Sequence, residues 1–204
     1  RDRQLLANEV VEVLEEHDGF AFVRARASGY VGYVVASGLR PLPLEPVPDH
    51  WVTSRLTHAY FEPDIKSKEQ MALSMGTQLS NLGMQAEMMQ TELGWIPSRH
   101  VTSKTESDPV AVAERMLGAP YLWGGNSANG IDCSGLVWIA FALCGALLMP
   151  DSDLQKEHDG RPVVDGSVVR GDLWFWDGHV AIVADEHKLV HANAHHMAVV
   201  HEEI

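Results

Sequence analysis

The segment Asp132-Cys133-Ser134-Gly135-Leu136-Val137 decides how the second half of this chain folds and what chemistry it can perform. It opens an apolar run that predicts a helix from about Cys133 to Leu148, ended by Pro150, with Asp132 as the N-cap. The unpaired N–H groups and the positive end of the helix dipole stabilise a thiolate at such a helix start. Because a thiolate is the nucleophile that amide cleavage requires, Cys133 is a candidate catalytic residue.

The second cysteine, Cys144, gives the contrasting case. It lies in the middle of the predicted helix among large apolar residues, which is typical of a free cysteine that serves as a small buried hydrophobe. That ordinary role suits Cys133 less well, since polar residues flank it and a glycine-rich loop precedes it. On one helix the two sulfurs are too far apart to form a disulfide, and two unpaired thiols favour a reducing compartment.

Two histidines downstream are candidate partners for the thiol. His179 begins the apolar strand His-Val-Ala-Ile-Val, and His191 lies on the next predicted strand, beyond a turn near Glu186-His187. In an antiparallel hairpin the two side chains lie on neighbouring strands, roughly opposite each other. We therefore predict that His179 is the general base and that His191 orients it through its second nitrogen.

The surrounding pattern predicts an α+β domain over residues 106–204, in which the cysteine helix packs on an antiparallel sheet. A first helix is expected from Val110 to Leu117, with Asp108 as N-cap and Pro109 at the first helical position. The expected strands are Leu173–Trp176, Val180–Ala184, Leu189–His191 and Met197–Val200.

The upstream half predicts two small β-barrels, over residues 1–45 and 46–105, joined by the proline-rich segment Pro41–Asp49. A weak internal repeat supports two modules, because Gly32-Tyr33-Val34 matches Gly94-Trp95-Ile96. The alternative is that both stretches are strand ends of a single all-β domain. Strands are expected at residues 9–14, 20–26 and 30–35, with a turn at Asp18-Gly19, and then at 71–82 and 93–96.

Five short blocks follow one another in the second half: Tyr121-Leu-Trp-Gly-Gly, Asp132–Val137, Gly171-Asp-Leu-Trp-Phe, His179-Val and His191. Their order and spacing resemble the NlpC family of papain-like cysteine peptidases. The resemblance covers about residues 109–200, and its Asp-Cys-Ser-Gly-Leu-Val block is highly specific. The glycine and aromatic residues that end each upstream unit resemble bacterial SH3-like domains, which members of this family often carry.

The resemblance implies a role for each catalytic residue. Cys133 would be the nucleophile, His179 the base and His191 its polar partner. Tyr121 would lie close to the cysteine and, with the backbone N–H of Cys133, would stabilise the oxyanion. The resemblance implies no metal ion or other cofactor.

The resemblance also implies a substrate. Asp132 and Ser134 would bind the D-glutamyl unit of a peptidoglycan stem peptide, and the enzyme would cut the bond from this unit to the following diamino acid. Members of the family often have Pro-Arg-x-Ser-x-x-Gln after the cysteine helix. Here Ser152 stands near the expected serine and would also contact substrate, whereas Asp151 departs from the arginine and puts any contact made by that arginine in doubt.

In the recycling branch of this family the first SH3-like module would sense a free N-terminal L-alanine on the substrate. Glu9 and Tyr30 occupy the matching places in this chain, and a carboxylate with an aromatic face suits a cationic amine. Both are alternatively ordinary surface residues. The N-terminus shows no secretory signal pattern, which favours a cytoplasmic role in recycling wall peptides.

Charge and hydropathy exclude some partners. The formal charge of −13 comes without a cluster of Lys and Arg, which excludes nucleic acid, and no apolar run is long enough to span a membrane. One alternative function is a cysteine amidase or acyltransferase of the same broad fold. Another is a metal-binding or adhesive module with zinc on histidines, although strand alternation would split adjacent ligands. Those histidines are His191, His195, His196 and His201.

Overall fold

The computed structural model describes residues 2–42, 47–164 and 166–204. Its N-terminal unit is a three-stranded antiparallel sheet in the order β1-β2-β3. The turn predicted at Asp18-Gly19 joins the first two strands, and both residues have positive φ angles, 49° and 80°, as a tight hairpin turn requires. The strands are β1 (Val11–His17), β2 (Phe20–Ala25) and β3 (Val31–Val35).

The second unit consists of eight short strands in two sheets around one apolar core. One sheet has the order β6-β5-β10-β9-β8 and the other β11-β4-β7. The sequence predicted strand structure only near 71–82 and 93–96, because several of these strands are too short to show an alternating pattern. The strands are β4 (His50–Val52), β5 (Leu56–Tyr60), β6 (Glu69–Ser74), β7 (Gln78–Leu79), β8 (Gly83–Gln85), β9 (Met88–Thr91), β10 (Gly94–Pro97) and β11 (Val101–Thr102).

The predicted internal repeat has a local structural counterpart. In the first unit β3 leads into a 3-10 turn at Ala36–Gly38, and in the second β10 leads into one at Ser98–His100. An SH3-like identity for the second unit stays a prediction. The predicted boundary between residues 45 and 46, inside the proline-rich segment, lies outside the described residues.

The third unit is the predicted α+β domain, with a four-stranded antiparallel sheet in the order β14-β15-β16-β17. One face of the sheet packs on α2 and α1, and the shared core includes Leu136, Ile139, Val180 and Val190. The described elements are α1 (Pro109–Glu114), β12 (Asn126–Ser127), β13 (Gly130–Ile131), α2 (Cys133–Leu143), α3 (Ser152–His158), β14 (Leu173–Trp176), β15 (His179–Asp185), β16 (Lys188–Asn193) and β17 (Ala198–Glu203).

The predicted start of α1 is confirmed at Asp108, whose carboxylate accepts hydrogen bonds from the backbone N–H groups of Val110 and Ala111 at 3.0 and 3.3 Å. The predicted end of the cysteine helix is wrong, since α2 ends at Leu143 and not at Leu148. Gly145, with φ +83°, closes the helix in a Schellman motif, in which the next N–H reaches back to the carbonyl of Phe141 at 2.9 Å.

The apolar run misled the prediction because it continues past this glycine. The chain turns there and forms a further helix, α3, that the sequence did not predict. Among the described residues, no helix has both the length and the hydropathy that crossing a membrane requires.

The N-terminal segment docks on the glycine-rich loop that precedes α2. Asn126 donates from its side chain to the carbonyl of Gln4 at 2.8 Å and from its backbone to the Gln4 side chain at 3.1 Å. A Cβ atom on Gly124 would stand 2.7 Å from the carbonyl oxygen of Asp2, and Gly124 also has a φ of +71°. A side chain at position 124 would therefore push the N-terminal segment away from the loop.

Candidate active site

Cys133 is the first residue of α2, and Asp132 caps the helix as predicted. One carboxylate oxygen of Asp132 accepts from the backbone N–H of Gly135 at 2.7 Å, and the other accepts from the backbone N–H of Gly124 at 2.8 Å. The Cys133 residue is 6% exposed. The carboxylate therefore fixes the helix start against the glycine-rich loop and holds the thiol at the edge of the core.

The helix start led us to expect a lowered pKa for the Cys133 thiol, but the structure favours a raised one. Burial raises the pKa of Cys133 above its ordinary value, and the charge of Asp132 raises it further. Hydrogen bonds from the N–H groups of Val180, Ser134 and Cys133 itself lower the pKa, but by less. The neutral thiol is therefore favoured, and the nearby Val180 N–H places the sulfur at the beginning of β15.

His179 and His191 lie together as predicted. The strand register pairs Ile182 with Val190, so the two histidines project from one face of the sheet as diagonal neighbours on β15 and β16. Nε2 of His179 is 2.9 Å from Nδ1 of His191, and the ring centroids are 5.0 Å apart. The predicted turn between them is confirmed, since Asp185 pairs with Lys188 across it.

A carboxylate that the sequence did not identify extends this pair. Glu202, on β17, has one oxygen 3.0 Å from Nε2 of His191, and the Asn193 amide donates to the same oxygen at 2.8 Å. The hydrogen bond with His191 lowers the pKa of Glu202, so this carboxylate is ionised and only accepts.

The proton positions on both rings follow from this carboxylate. His191 must donate from Nε2 to Glu202, which leaves its Nδ1 as an acceptor for the Nε2–H of His179. Nδ1 of His179 is then the unprotonated nitrogen. A base with a free lone pair is what removal of a thiol proton requires.

Burial lowers the pKa of His179 below its ordinary value, the charge of His191 lowers it further, and Glu202 raises it. Burial also lowers the pKa of His191, against the raising effect of Glu202. These shifts favour a neutral thiol at Cys133 and a neutral imidazole at His179.

We predict that removing the charge of Glu202 moves the acid limb of the activity profile. Because Glu202 raises the pKa of His179, Glu202→Gln will lower that pKa, and activity will persist to lower pH before His179 becomes protonated. Glu202→Ala also removes the acceptor that selects the tautomer, and we expect it to reduce kcat/KM roughly ten- to a hundredfold, less than losing a carboxylate bound directly to a catalytic histidine. The measurement is kcat/KM against pH.

The matched control is Glu186→Gln, which removes one carboxylate at the exposed turn of the hairpin. It should leave the acid limb where it is in the parent enzyme. An unmoved acid limb in Glu202→Gln, or full activity in Glu202→Ala, would show that this carboxylate does not act on the histidine pair.

Arg3 is the second site residue that the sequence did not reveal. Its side chain is 7% exposed and lies against the start of α2, far from its own position in the chain. Burial lowers the pKa of Arg3, but the charges and hydrogen bonds of Asp132 and Asp151 outweigh that effect and raise it. Its guanidinium donates to Asn126 Oδ1 (3.2 Å), Asp132 Oδ1 (3.0 Å), Ser134 Oγ (2.9 Å), the Pro150 carbonyl (2.5 Å) and Asp151 Oδ1 (2.5 Å).

These contacts define the surroundings of three predicted substrate residues. Asp132 and Ser134 are buried, and the Ser134 hydroxyl both donates to Asp132 at 3.2 Å and accepts from Arg3. Ser152 is half-buried at the first position of α3. Where the resemblance led us to expect an arginine after the proline, Asp151 instead accepts a hydrogen bond from Arg3. A guanidinium is therefore present at this place, but it comes from the N-terminal unit.

The other predicted site residues lie on two sides of the helix start. Tyr121 is half-buried against the core that contains Cys133, and burial followed by the charges of Cys133 and Asp132 raises its pKa. Glu9 and Tyr30 both line a cleft of about 480 Å³ that also exposes Arg3.

Within that cleft the Glu9 carboxylate accepts from the Leu6 N–H at 2.9 Å, and burial raises its pKa. A second cleft of about 480 Å³ borders His179 and His191 and is lined by Trp176 and Glu202. The first cleft is not lined by Cys133 or His179, but it reaches the helix start through Arg3.

The remaining C-terminal histidines have separate partners. His201 has its Nε2 atom 3.1 Å from Glu114, and His196 has its Nδ1 atom 3.2 Å from the Asn193 side chain. His195 packs edge-on against His196 with ring centroids 4.8 Å apart. Among residues 2–42, 47–164 and 166–204, no three His, Cys, Asp or Glu side chains are grouped so that they could hold a metal ion.

Known proteins match large parts of this chain. Dipeptidyl-peptidase 6 of Lysinibacillus sphaericus is 27% identical over 163 residues, which is 71% of this chain and 60% of that protein. A probable endopeptidase of Escherichia coli is 35% identical over 96 residues, which is 45% of this chain and 37% of that protein. This chain therefore spans less than two thirds of either relative.

The overall fold is similar to that of a solved structure. The crystal structure of an NlpC/P60 family protein from Bacillus cereus superposes with a TM-score of 0.86 over 98% of this chain and 75% of that one, at 22% identity. Residues 118–203 match the NlpC/P60 family, and residues 1–39 match the family described as bacterial dipeptidyl-peptidase Sh3 domain. The third unit thus carries an NlpC/P60 domain, and the first unit carries a bacterial SH3 domain of the dipeptidyl-peptidase type.

Proposed function

We propose that this protein is a cysteine peptidase that hydrolyses the bond between D-γ-glutamate and the following diamino acid in peptidoglycan stem peptides. The observation that carries the proposal is that the buried thiol at the start of α2 lies by the Val180 N–H at the beginning of β15, whose first residue, His179, is hydrogen bonded to His191 and through it to Glu202. The peptidase names of the relatives support a peptide substrate.

The reaction begins with proton transfer from Cys133 to His179. The sulfur attacks the γ-carbonyl carbon of D-glutamate, and the resulting oxyanion is stabilised by the Tyr121 hydroxyl and the backbone N–H of Cys133. His179 then gives its proton to the leaving amine of the diamino acid, which leaves a thioester on Cys133. A water molecule, deprotonated by His179, hydrolyses the thioester and restores the thiol.

The alternative function is cleavage of a different amide bond in the same substrate. An amidase of this fold would use the same nucleophile and base but cut the amide that joins the lactyl group of the sugar to the peptide. Digestion of a defined muropeptide with mass readout distinguishes the two, since the peptidase releases a fragment that begins at the diamino acid. Products formed only by cleavage at the lactyl amide would place the protein among the amidases.

We further propose that the substrate carries a free N-terminal L-alanine, as expected for peptides already released from the wall and recycled in the cytoplasm. Support comes from the first cleft, where the half-buried Glu9 carboxylate and the Tyr30 ring face a common space. A carboxylate and an aromatic face suit an ammonium group that has left water.

The predicted result is that L-Ala-D-γ-Glu-diamino acid is cleaved well, whereas the same peptide acetylated at its amine is cleaved poorly. Glu9→Ala should reduce kcat/KM for the free-amine peptide roughly ten- to a hundredfold, because the ammonium group loses its partner, and should affect the acetylated peptide little. Steady-state rates on both peptides provide the measurement.

The control is Glu12→Ala in the same unit, where the exposed carboxylate pairs with Arg24 at 3.0 Å. It should keep the parent preference. Equal rates on free and acetylated peptides in the parent enzyme would reject amine recognition and leave an adhesive role for the first unit.

A further inference from the structure

Arg3 joins two segments of the third unit that border the thiol. One segment is the turn Asp132–Ser134 that contains Cys133, and the other is the Pro150–Asp151 stretch before α3. The two segments otherwise meet through Gln155, whose side-chain amide donates to the carbonyls of Ser134 and Met149 at 3.1 and 2.9 Å. The two segments are thus joined by neutral hydrogen bonds from Gln155 and by charged hydrogen bonds from the Arg3 guanidinium.

The positive charge of Arg3 lies among several carboxylates. The Asp132 side chain is 9% exposed, and a buried carboxylate without a counter-charge is strongly destabilised. Asp151 lies on the other side of the same guanidinium, and Asp2 and Glu9 line the adjoining cleft. Arg3 is the single cation among the described residues that line this cleft. Without it, an anionic group that approached through this cleft would meet the carboxylates of Asp2 and Glu9 with no cation among the described residues that line it.

The N-terminal unit delivers this arginine in a fixed position. Gln4 is hydrogen bonded twice to Asn126, and Asp2 packs on Gly124, so the residues on both sides of Arg3 are held against the loop before α2. The Nε–H of Arg3 is buried and finds no partner among the described residues. Such an orphaned donor in a buried guanidinium is costly, and an acceptor on a bound ligand would remove that cost.

We propose that Arg3 is a positioning residue which the N-terminal unit inserts into the active site, where it joins the Cys133 turn to the Pro150–Asp151 segment and neutralises their carboxylates so that an anionic D-glutamyl unit can bind. The identity of that unit rests on the proposed function. The γ-linkage leaves the α-carboxylate of D-glutamate free beside the scissile bond. The positive charge of Arg3 offsets the repulsion between this group and the carboxylates of the site. The site is therefore complete only when the N-terminal unit is docked.

The first test compares two substrates that differ by one charge: a stem peptide with the free α-carboxylate and the same peptide with an α-carboxamide. Arg3→Ala should reduce kcat/KM for the carboxylate peptide roughly a hundredfold, the size of effect seen when a buried charge loses its partner. The same variant should reduce kcat/KM for the carboxamide peptide only about tenfold. Arg3→Lys keeps the charge without the forked geometry, so it should retain the preference for the carboxylate at a reduced rate.

The control variant is Arg40→Ala, which removes an exposed arginine that donates to Asn8 in the same unit. It should change neither rate. A fall of equal size on both substrates in Arg3→Ala, together with Arg3→Lys equal to Arg3→Ala, would show that the residue serves stability alone and would overturn the proposal.

The second test moves the guanidinium to the other unit. Asp151 is 41% exposed at its side chain and its carboxylate touches Arg3, so an arginine at 151 can reach the same place. The double variant Arg3→Ala/Asp151→Arg should recover at least tenfold of the lost kcat/KM. Asp151→Arg alone should lose activity, since two guanidinium groups then compete for Asp132. Failure of the double variant to recover, in protein whose thermal unfolding matches the parent, would also overturn the proposal.

These outcomes separate the inference from the function on which it rests. If the parent enzyme releases no diamino-acid fragment from either peptide, the proposed function is wrong. If the parent cleaves both peptides and the Arg3 variants behave as the Arg40 control does, the function stands and only the role of Arg3 is wrong.

Discussion

Cys133→Ala should reduce hydrolysis of a defined stem peptide to background, a loss of about 10⁶-fold in kcat, because no other group replaces the nucleophile. Cys144→Ala should leave the rate near that of the parent. Cys144 is the C-cap of α2, half-buried, and packs against the apolar core, whereas Cys133 begins the helix beside β15. Mass spectrometry of the peptide products measures both variants in one assay.

The loss of activity in Cys133→Ala can be assigned to the missing nucleophile only if the variant remains folded. The substitution removes one buried sulfur and leaves the Asp132 cap and its hydrogen bonds in place, so the thermal midpoint should change by only a few degrees. Alkylation at neutral pH is a weaker test, because burial raises the pKa of both thiols. Hydrolysis by Cys133→Ala, or its loss in Cys144→Ala, would reject the assigned nucleophile.

The parts of the site that the sequence predicted are those carried by local pattern. An N-cap before an apolar helix placed Cys133, and a hairpin with a polar turn placed His179 and His191 on adjacent strands. Each signal lies within a few residues of the group it predicts. The α+β plan of the third unit followed from the same signals.

The parts that the sequence did not predict depend on long-range contacts. Glu202 reaches His191 because β17 pairs with β16 in one particular register, and an acidic residue near the end of an exposed strand carries no mark of that role. Arg3 lies 129 positions from Asp132 and resembled any surface arginine. One clue was present: Asp151 replaced an expected arginine, which implied that either the contact was lost or another cation supplied it.

The predicted overlong helix has a different cause. Residues 146–149 are as apolar as the helix itself, so hydropathy alone extended it. The deciding signal was Gly145, which adopts a positive φ and allows the chain to turn back. The turn brings Pro150 and Asp151 back to the start of α2, where both accept hydrogen bonds from Arg3.

His179→Ala should be nearly as damaging as loss of the cysteine, since residues that act as a unit fail together. With the neutral thiol favoured over the thiolate, Cys133 cannot attack until a base removes its proton, and His179 directly precedes Val180, whose N–H is hydrogen bonded to the sulfur. We expect kcat to fall about 10⁶-fold, and the double variant with Cys133→Ala to be no worse than either single one. Single-turnover rates on the stem peptide measure the three variants.

His191→Ala should be milder, at most about 10⁴-fold, because His191 orients the base and does not itself take the thiol proton. The variant leaves Nε2 of His179 without its acceptor at 2.9 Å, so the two tautomers of His179 become similar in energy and only a fraction of the enzyme presents the free nitrogen to the thiol. His187→Ala, at the exposed turn of the same hairpin, is the matched control and should retain the parent rate. Full activity in His179→Ala, or a greater loss in His191→Ala than in His179→Ala, would reverse the assigned roles and make His191 the base.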